Sequence, residues 1–209
     1  MLDYINLSIL AIFIPTFFFV SITPGMCMTL ALSMGMSIGL KKTLFMMYGE
    51  LIGVAFVAGS SVIGVATVML NYPTVFIALK YVGAIYLFYL GISMYFSRGR
   101  MALNLNGCNF NISRKNLASQ GFITAVANPK AWAFFIALLP PFIDEKLSFL
   151  PQISILIFLI ILIEFVCLLI YASGGITLRK LLQNSSNVKL LNKIAGIMMI
   201  GIGVWLILT

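Results

Sequence analysis

The sequence predicts an all-α integral membrane protein of six transmembrane helices arranged as a 3+3 inverted-topology repeat, and three observations predict it. Of 209 residues, 62% are hydrophobic and only 9% charged, against roughly 25% charged in an ordinary soluble domain. Six stretches, about 7–32, 44–70, 75–97, 117–140, 152–176 and 191–208, each approach the roughly 20 apolar residues that a bilayer core about 30 Å thick requires. The order of prolines, glutamates and glycines in the first three stretches then recurs in the last three. Almost no chain is left over, so residues 1–209 read as one membrane domain, with repeats about 1–97 and 117–209 joined by a connection over 98–116.

Span one begins in "MLDYINLSIL", which lacks a basic n-region and runs on too far for a signal peptide, so it reads as a retained helix. It carries Thr23-Pro24-Gly25 about two thirds along, and span four carries Asn128-Pro129-Lys130 at the matching place. In span two Glu50 precedes Ala58-Gly59-Ser60 by eight residues. In span five Glu164 precedes Ala172-Ser173-Gly174 by the same eight. Spans three and six each open with Lys-x-x-Gly, Lys80/Gly83 and Lys193/Gly196, followed by Gly91 and by Gly201 and Gly203. Three spans is an odd number, so the second half lies upside down relative to the first. Secondary transporters use this plan, with interrupted helices of the two halves meeting near the midplane.

Charge placement sets the orientation. Lys41, Lys42, Arg98, Arg100, Arg114, Lys115, Arg179, Lys180, Lys189 and Lys193 fall on one side, and Asp3, Asp144, Glu145, Lys146 and Lys80 belong to the other. The positive-inside rule makes the first side cytoplasmic, the 98–116 connection included, and puts both termini outside. The formal charge of +8 is scattered over short connections, which speaks for membrane orientation and against a nucleic-acid partner. Cys27, Cys108 and Cys167 match no zinc or disulfide spacing, and with no histidine in the chain a His-built metal site is excluded. No cofactor is expected.

Proline in a helix removes a backbone donor and clashes with the carbonyl four residues back. Pro24 should therefore free the carbonyl of Val20, and Pro129 that of Ala125. Such groups are tolerated at membrane depth only against protein or a watery cavity, so the two prolines mark either plain kinks or two breaks lining a central site. Lys130 lies roughly 20 Å from the inner end of span four at about 1.5 Å per residue. It must snorkel outward or find a partner, and only Glu50 and Glu164 sit deep enough to pair with it. The same two carboxylates are the candidates for binding and releasing a proton in a chain without histidine; the alternatives are a structural partner for Lys130 at Glu50 and a solvated edge at Glu164. Gly35/Gly39 and Gly49/Gly53 fit close helix approach. Phe17 to Phe19, Phe134 and Phe135 read as packing or lipid-facing residues, and Tyr86 and Tyr89 as possible hydroxyl donors to a substrate.

"SITPGMCM", "GMSIGLKKTLFMMYGELIG", "LKYVGAIYLFYLGISMY" and "GFITAVANPKAWAFFIALLPPF" resemble, in order and spacing, the lysine/homoserine exporter family of LysE/RhtB type. The likeness is strongest over about 25–142, and its most specific parts are Asn128-Pro129-Lys130-Ala131 with Leu139-Pro140, and Gly83-Ala84-x-Tyr86-Leu87 with Gly91. It implies export of amino acids or related small metabolites across the bacterial inner membrane, driven by the proton gradient, and no enzyme activity. Pro24, Gly25, Asn128, Pro129 and Lys130 fall on its motif positions and are expected to bind substrate; Glu50 and Glu164 are expected to couple protons. The chain departs from the family at Met26 and Cys27, where Pro and often Asn are usual. Its partners would be an amino acid, protons and membrane lipid, with a homo-oligomer left open. A divalent metal-ion exporter, a thiol-redox protein of similar plan and a non-transporting assembly factor are the competing readings; in the thiol case the position mirroring Cys27 holds Trp132 and not a second cysteine.

Overall fold

The structure, a computed structural model, describes residues 7–97, 113–139, 142–143 and 147–208. Asp3, Pro140, the Asp144-Glu145-Lys146 segment and most of the 98–116 connection, with Arg98, Arg100 and Cys108, lie outside the described residues, as do the side chains of Lys80, Arg179 and Lys180. The described residues form eight α-helices and no strand: α1 (Leu7–Ile22), α2 (Met26–Ile38), α3 (Leu40–Asn71), α4 (Pro73–Tyr95), α5 (Arg114–Val126), α6 (Pro129–Leu138), α7 (Phe149–Gln183) and α8 (Ser185–Leu208).

Each boundary has a local cause. Span one breaks at Thr23–Gly25 into α1 and α2, which meet at a bend of 57°. Span four breaks at Ala127-Asn128 into α5 and α6. The residue before a proline is pushed out of the helical region, and both Tyr72 (φ −139°, ψ 70°) and Asn128 (φ −80°, ψ 103°) obey this, ending α3 before Pro73 and α5 before Pro129. Proline then starts the next helix at its first turn, where a missing N–H costs nothing. Ser113 caps α5 by accepting the Asn116 N–H at 3.2 Å. Gly39 joins α2 to α3 at φ +79°, and Gly175 bends α7 at φ +48°; both lie in the left-handed region open to glycine.

Three helical stretches, Leu40–Val65, Phe149–Gly175 and Ser185–Trp205, are long and apolar enough to cross a membrane, and the bent α1/α2 pair makes a fourth. The Tyr81–Tyr95 stretch of α4 is shorter. Large apolar side chains are exposed along these helices, among them Ile52, Ile63, Ile85, Phe158 and Ile197, a surface suited to lipid.

Helix pairs α3/α5, α4/α8 and α2/α7 make the closest packing. Glycine explains how. A Cβ at Gly49 would sit 1.8 Å from the Ala118 carbonyl oxygen, one at Gly121 2.0 Å from that of Met46, and one at Gly35 2.1 Å from that of Ala172. Gly91 and Gly196 face each other across the α4/α8 crossing. Of the glycine pairs read from the sequence, Gly35, Gly49 and Gly53 thus serve close approach, whereas Gly39 is a hinge with nothing nearby. Two apolar clusters result. One gathers Phe13, Phe17, Phe134, Phe135, Phe142 and Leu139 with Trp205 packed against it; the other gathers Met28, Met34, Met46, Met47, Leu168 and Tyr171.

Backbone contact this close leaves no room for a methyl group. Gly49→Ala should force α3 from α5 and cost about 1–3 kcal/mol, lowering the apparent melting temperature in detergent by several degrees. Gly64→Ala, with open space around it, should leave the temperature unchanged or raise it, since alanine favours a helix by roughly 0.5–1 kcal/mol over glycine. Equal melting temperatures for the two variants would refute this packing.

Candidate functional site

The two helix breaks satisfy most of their own backbone before they can do anything else. At the first, Thr23 Oγ1 donates to the Phe19 carbonyl at 2.6 Å, and the Tyr171 hydroxyl of α7 donates to the Ile22 carbonyl at 2.7 Å. Gly25 stands at the N-cap of α2, where its carbonyl accepts both the backbone N–H and the hydroxyl of Thr29. At the second, Asn128 Oδ1 accepts the Lys130 N–H at 3.1 Å and so caps α6. Trp132 Nε1 donates to the Val126 carbonyl at 2.8 Å. The Ala125 carbonyl, expected to be freed by Pro129, instead accepts the Asn128 N–H at 3.2 Å. A donor one residue earlier replaces the one that proline lacks.

The breaks face each other. Asn128 Nδ2 donates to Cys27 Sγ at 3.9 Å, tying the start of α2 to the start of α6. Around this junction lies an open cavity of about 80 Å³. Its apolar walls come from Phe17, Val20, Val54, Phe134 and Phe135, and its polar lining from Ser21, Cys27, Glu50, Asn128, Lys130 and Glu164. The cavity draws its walls from both apolar clusters, since Met28 of the second also borders it.

The ionisable groups differ in their surroundings. Glu164, on α7, accepts a hydrogen bond from Ser21 Oγ of α1 and is the carboxylate that faces Lys130. Glu50, on α3, is fully buried, and neither of its carboxyl oxygens has a hydrogen-bond partner; its polar neighbours are Cys27 and Glu164. The two glutamates, from different halves of the chain, therefore share one site. Lys130 is partly exposed within the cavity.

Gly25, Asn128, Lys130, Glu50 and Glu164, singled out in the sequence, all line the cavity, while Pro24 and Pro129 shape the breaks without lining it. Phe17, Phe134 and Phe135 are buried walls and do not face lipid. Tyr86 and Tyr89 pair with each other at 6.2 Å, with Tyr89 exposed, away from the site. Sequence reasoning missed Ser21 as the partner of Glu164, and Tyr171 and Trp132 as caps of the breaks. Ser21 lies two residues before Thr23 on the same broken span, a signal visible in the sequence; no spacing rule links Tyr171 or Trp132 to the carbonyls they serve.

Comparison of the sequence with known families gives this chain a family. A model of the LysE type translocator matches residues 18–209. The chain belongs to the LysE type translocator family. It is 26% identical over 208 residues to the uncharacterized membrane protein YrhP of Bacillus subtilis, covering 94% of this chain and 97% of the relative. It is 27% identical over 188 residues to the leucine efflux protein of an Enterobacter species, with 88% of each chain covered. With the homoserine/homoserine lactone efflux protein of Salmonella typhimurium it shares 29% identity over 141 residues, 68% of each. No solved structure matches it. The translocator is thus a multi-pass membrane transporter of a family whose members include amino-acid efflux proteins.

The geometry separates two partners that the sequence left equal for Lys130. Lys130→Met should remove the positive charge that interacts with Glu164 and lower the melting temperature of the translocator. Adding Glu164→Gln should restore the melting temperature, and adding Glu50→Gln should not. Rescue by Glu50→Gln alone would reassign the partner.

Proposed function

We propose that this translocator is a secondary active exporter of amino acids or related small metabolites across the bacterial inner membrane, driven by proton antiport and built from six spans as a 3+3 inverted repeat. The observation that carries the reading is the single cavity into which both helix breaks open, lined by one lysine and two carboxylates. A zwitterion needs both signs of charge within a few ångströms. The lysine also disfavours a bare metal cation as cargo through like-charge repulsion, against the metal-ion alternative.

Within this reading α1/α2 corresponds to α5/α6, α3 to α7 and α4 to α8. Several contacts support it: α2 packs on α7 as α6 packs on α3, and α4 crosses α8 with Gly91 against Gly196 and Gly203 against Ala84. Glu50 and Glu164 are then equivalent residues of two inverted halves, and the ten basic connection residues hold the 98–116 junction in the cytoplasm. The N-terminal end of α6, with its partial positive charge, takes the substrate carboxylate together with Lys130 and Asn128. Pro24 and Pro129 hold the breaks open, and Gly25 keeps the wall free of a side chain. The substrate ammonium turns to the carboxylates, which also carry the proton that returns as cargo leaves.

The test separates coupling from binding. In proteoliposomes, Gln at the proton-carrying glutamate should abolish gradient-driven transport of an amino acid while leaving exchange of labelled for unlabelled substrate, which moves no net proton. Normal gradient-driven transport by both Glu50→Gln and Glu164→Gln would rule out carboxylate coupling.

A further inference from the structure

We infer that Glu50 is the shared seat for which the exported ammonium and the returning proton compete, and that Glu164 serves as a fixed counter-charge; this rests on the exporter reading above. The inference comes from the unequal hydrogen bonding of two residues that the repeat makes equivalent. Glu164 is already engaged by the Ser21 hydroxyl, and the charge of Lys130 acts on it without a direct ion pair. Glu50 is fully buried, borders the cavity, and neither oxygen has a well-aligned hydrogen-bond partner, the weakly donating Cys27 thiol and the Glu164 carboxyl being its nearest polar groups. A carboxylate sealed from water with no well-aligned donor is costly, so the site is incomplete until something supplies one. Two donors satisfy it: a proton on the carboxyl group itself, or an alkylammonium group with its three N–H bonds.

The groups facing Glu50 leave it free for that exchange. From α2 comes Cys27, whose thiol lies against Asn128; from α7 comes Glu164; from α6 Lys130 faces Glu164; and α5 presents Gly121 and Ala125, which carry no charge. Among the described residues, no cation is committed to Glu50. When an ammonium-bearing substrate enters, the carboxyl proton leaves to water and the –NH3+ group pairs with the carboxylate. When substrate departs on the other side, a proton from that side takes its place. One carboxyl group holds one or the other, so neither moves without the other returning, and a direct leak would need the empty, unprotonated carboxylate.

Dicyclohexylcarbodiimide tests this on the whole purified chain because it adds only to a protonated carboxyl: the acid's proton passes to a carbodiimide nitrogen and the carboxyl oxygen bonds the carbodiimide carbon, so the adduct keeps the full reagent mass. Peptide mapping by mass spectrometry should find the adduct at Glu50 and not at Glu164 in the empty protein. Each of the twenty L-amino acids is added in turn, and counterflow in proteoliposomes without a gradient shows which is carried. The amino acid that is carried should abolish labelling of Glu50. Labelling at Glu164 instead, or none at Glu50, overturns the inference. So does undiminished Glu50 labelling in the presence of an amino acid that counterflow shows to be carried, and the exporter reading then still stands. If no amino acid is carried and none protects Glu50, both fall together.

Discussion

In the hydrocarbon core of a bilayer there is no water to satisfy a backbone group that leaves a helix, so a helix can break there only where the protein supplies the missing partners. Two breaks at Thr23–Gly25 and Ala127-Asn128 impose this constraint on everything around them. Thr23 and Asn128 meet part of it locally, with a hydroxyl on the Phe19 carbonyl and a capping amide on the Lys130 N–H. The rest must come from farther along the chain. Tyr171 reaches from α7 to the Ile22 carbonyl, and Trp132 folds back to that of Val126. These bonds fix the opening turns of α2 and α6 beside one cavity, tied by Asn128 and Cys27. Cys27 therefore stands at the junction itself, where it accepts from Asn128.

The glycine contacts set the surroundings of Glu50. Gly49 precedes it and Gly53 follows it by three, and both admit the backbone of α5 at a distance no other residue permits. Gly121 on the opposing helix comes so close that an added Cβ would lie 2.8 Å from the Glu50 backbone nitrogen. α5 therefore covers this turn of α3 with backbone and small side chains. Glu164 sits on α7 opposite the broken end of α1, where Ser21 is within reach. Packing geometry thus gives the two glutamates different surroundings, Glu164 beside the Ser21 hydroxyl and Glu50 beside Cys27.

Much of this was legible in the sequence because it follows from local rules. Proline in an apolar run announces a break, Asn before Pro announces a cap, and a charge inside a span must line a cavity or find a partner. Glu50, Asn128, Lys130 and Glu164 were found that way and Gly25 through the family resemblance, and all five border the same cavity. What the sequence left open depends on distance in space. Lys130 could have faced either glutamate, and which one it faces is decided by helix packing. Ser21, Tyr171 and Trp132 act on groups up to 149 residues away, and residue type alone does not foretell that. The freed carbonyl expected at Ala125 was lost to a neighbouring N–H because the chain turns before the proline and not at it. Gly39 resembled a packing glycine and proved a hinge, since its role lies in a backbone angle that spacing does not record.

As proposed, one cavity beside two helix breaks moves an amino acid in one direction against a proton in the other. Inside-out membrane vesicles holding the chain, energised to an acidic interior, test it most directly when each of the twenty amino acids is offered outside. At least one should accumulate within, a protonophore should release it, and vesicles lacking the chain should accumulate none of it. Equal accumulation with and without the chain for all twenty, or accumulation indifferent to the protonophore, would contradict it.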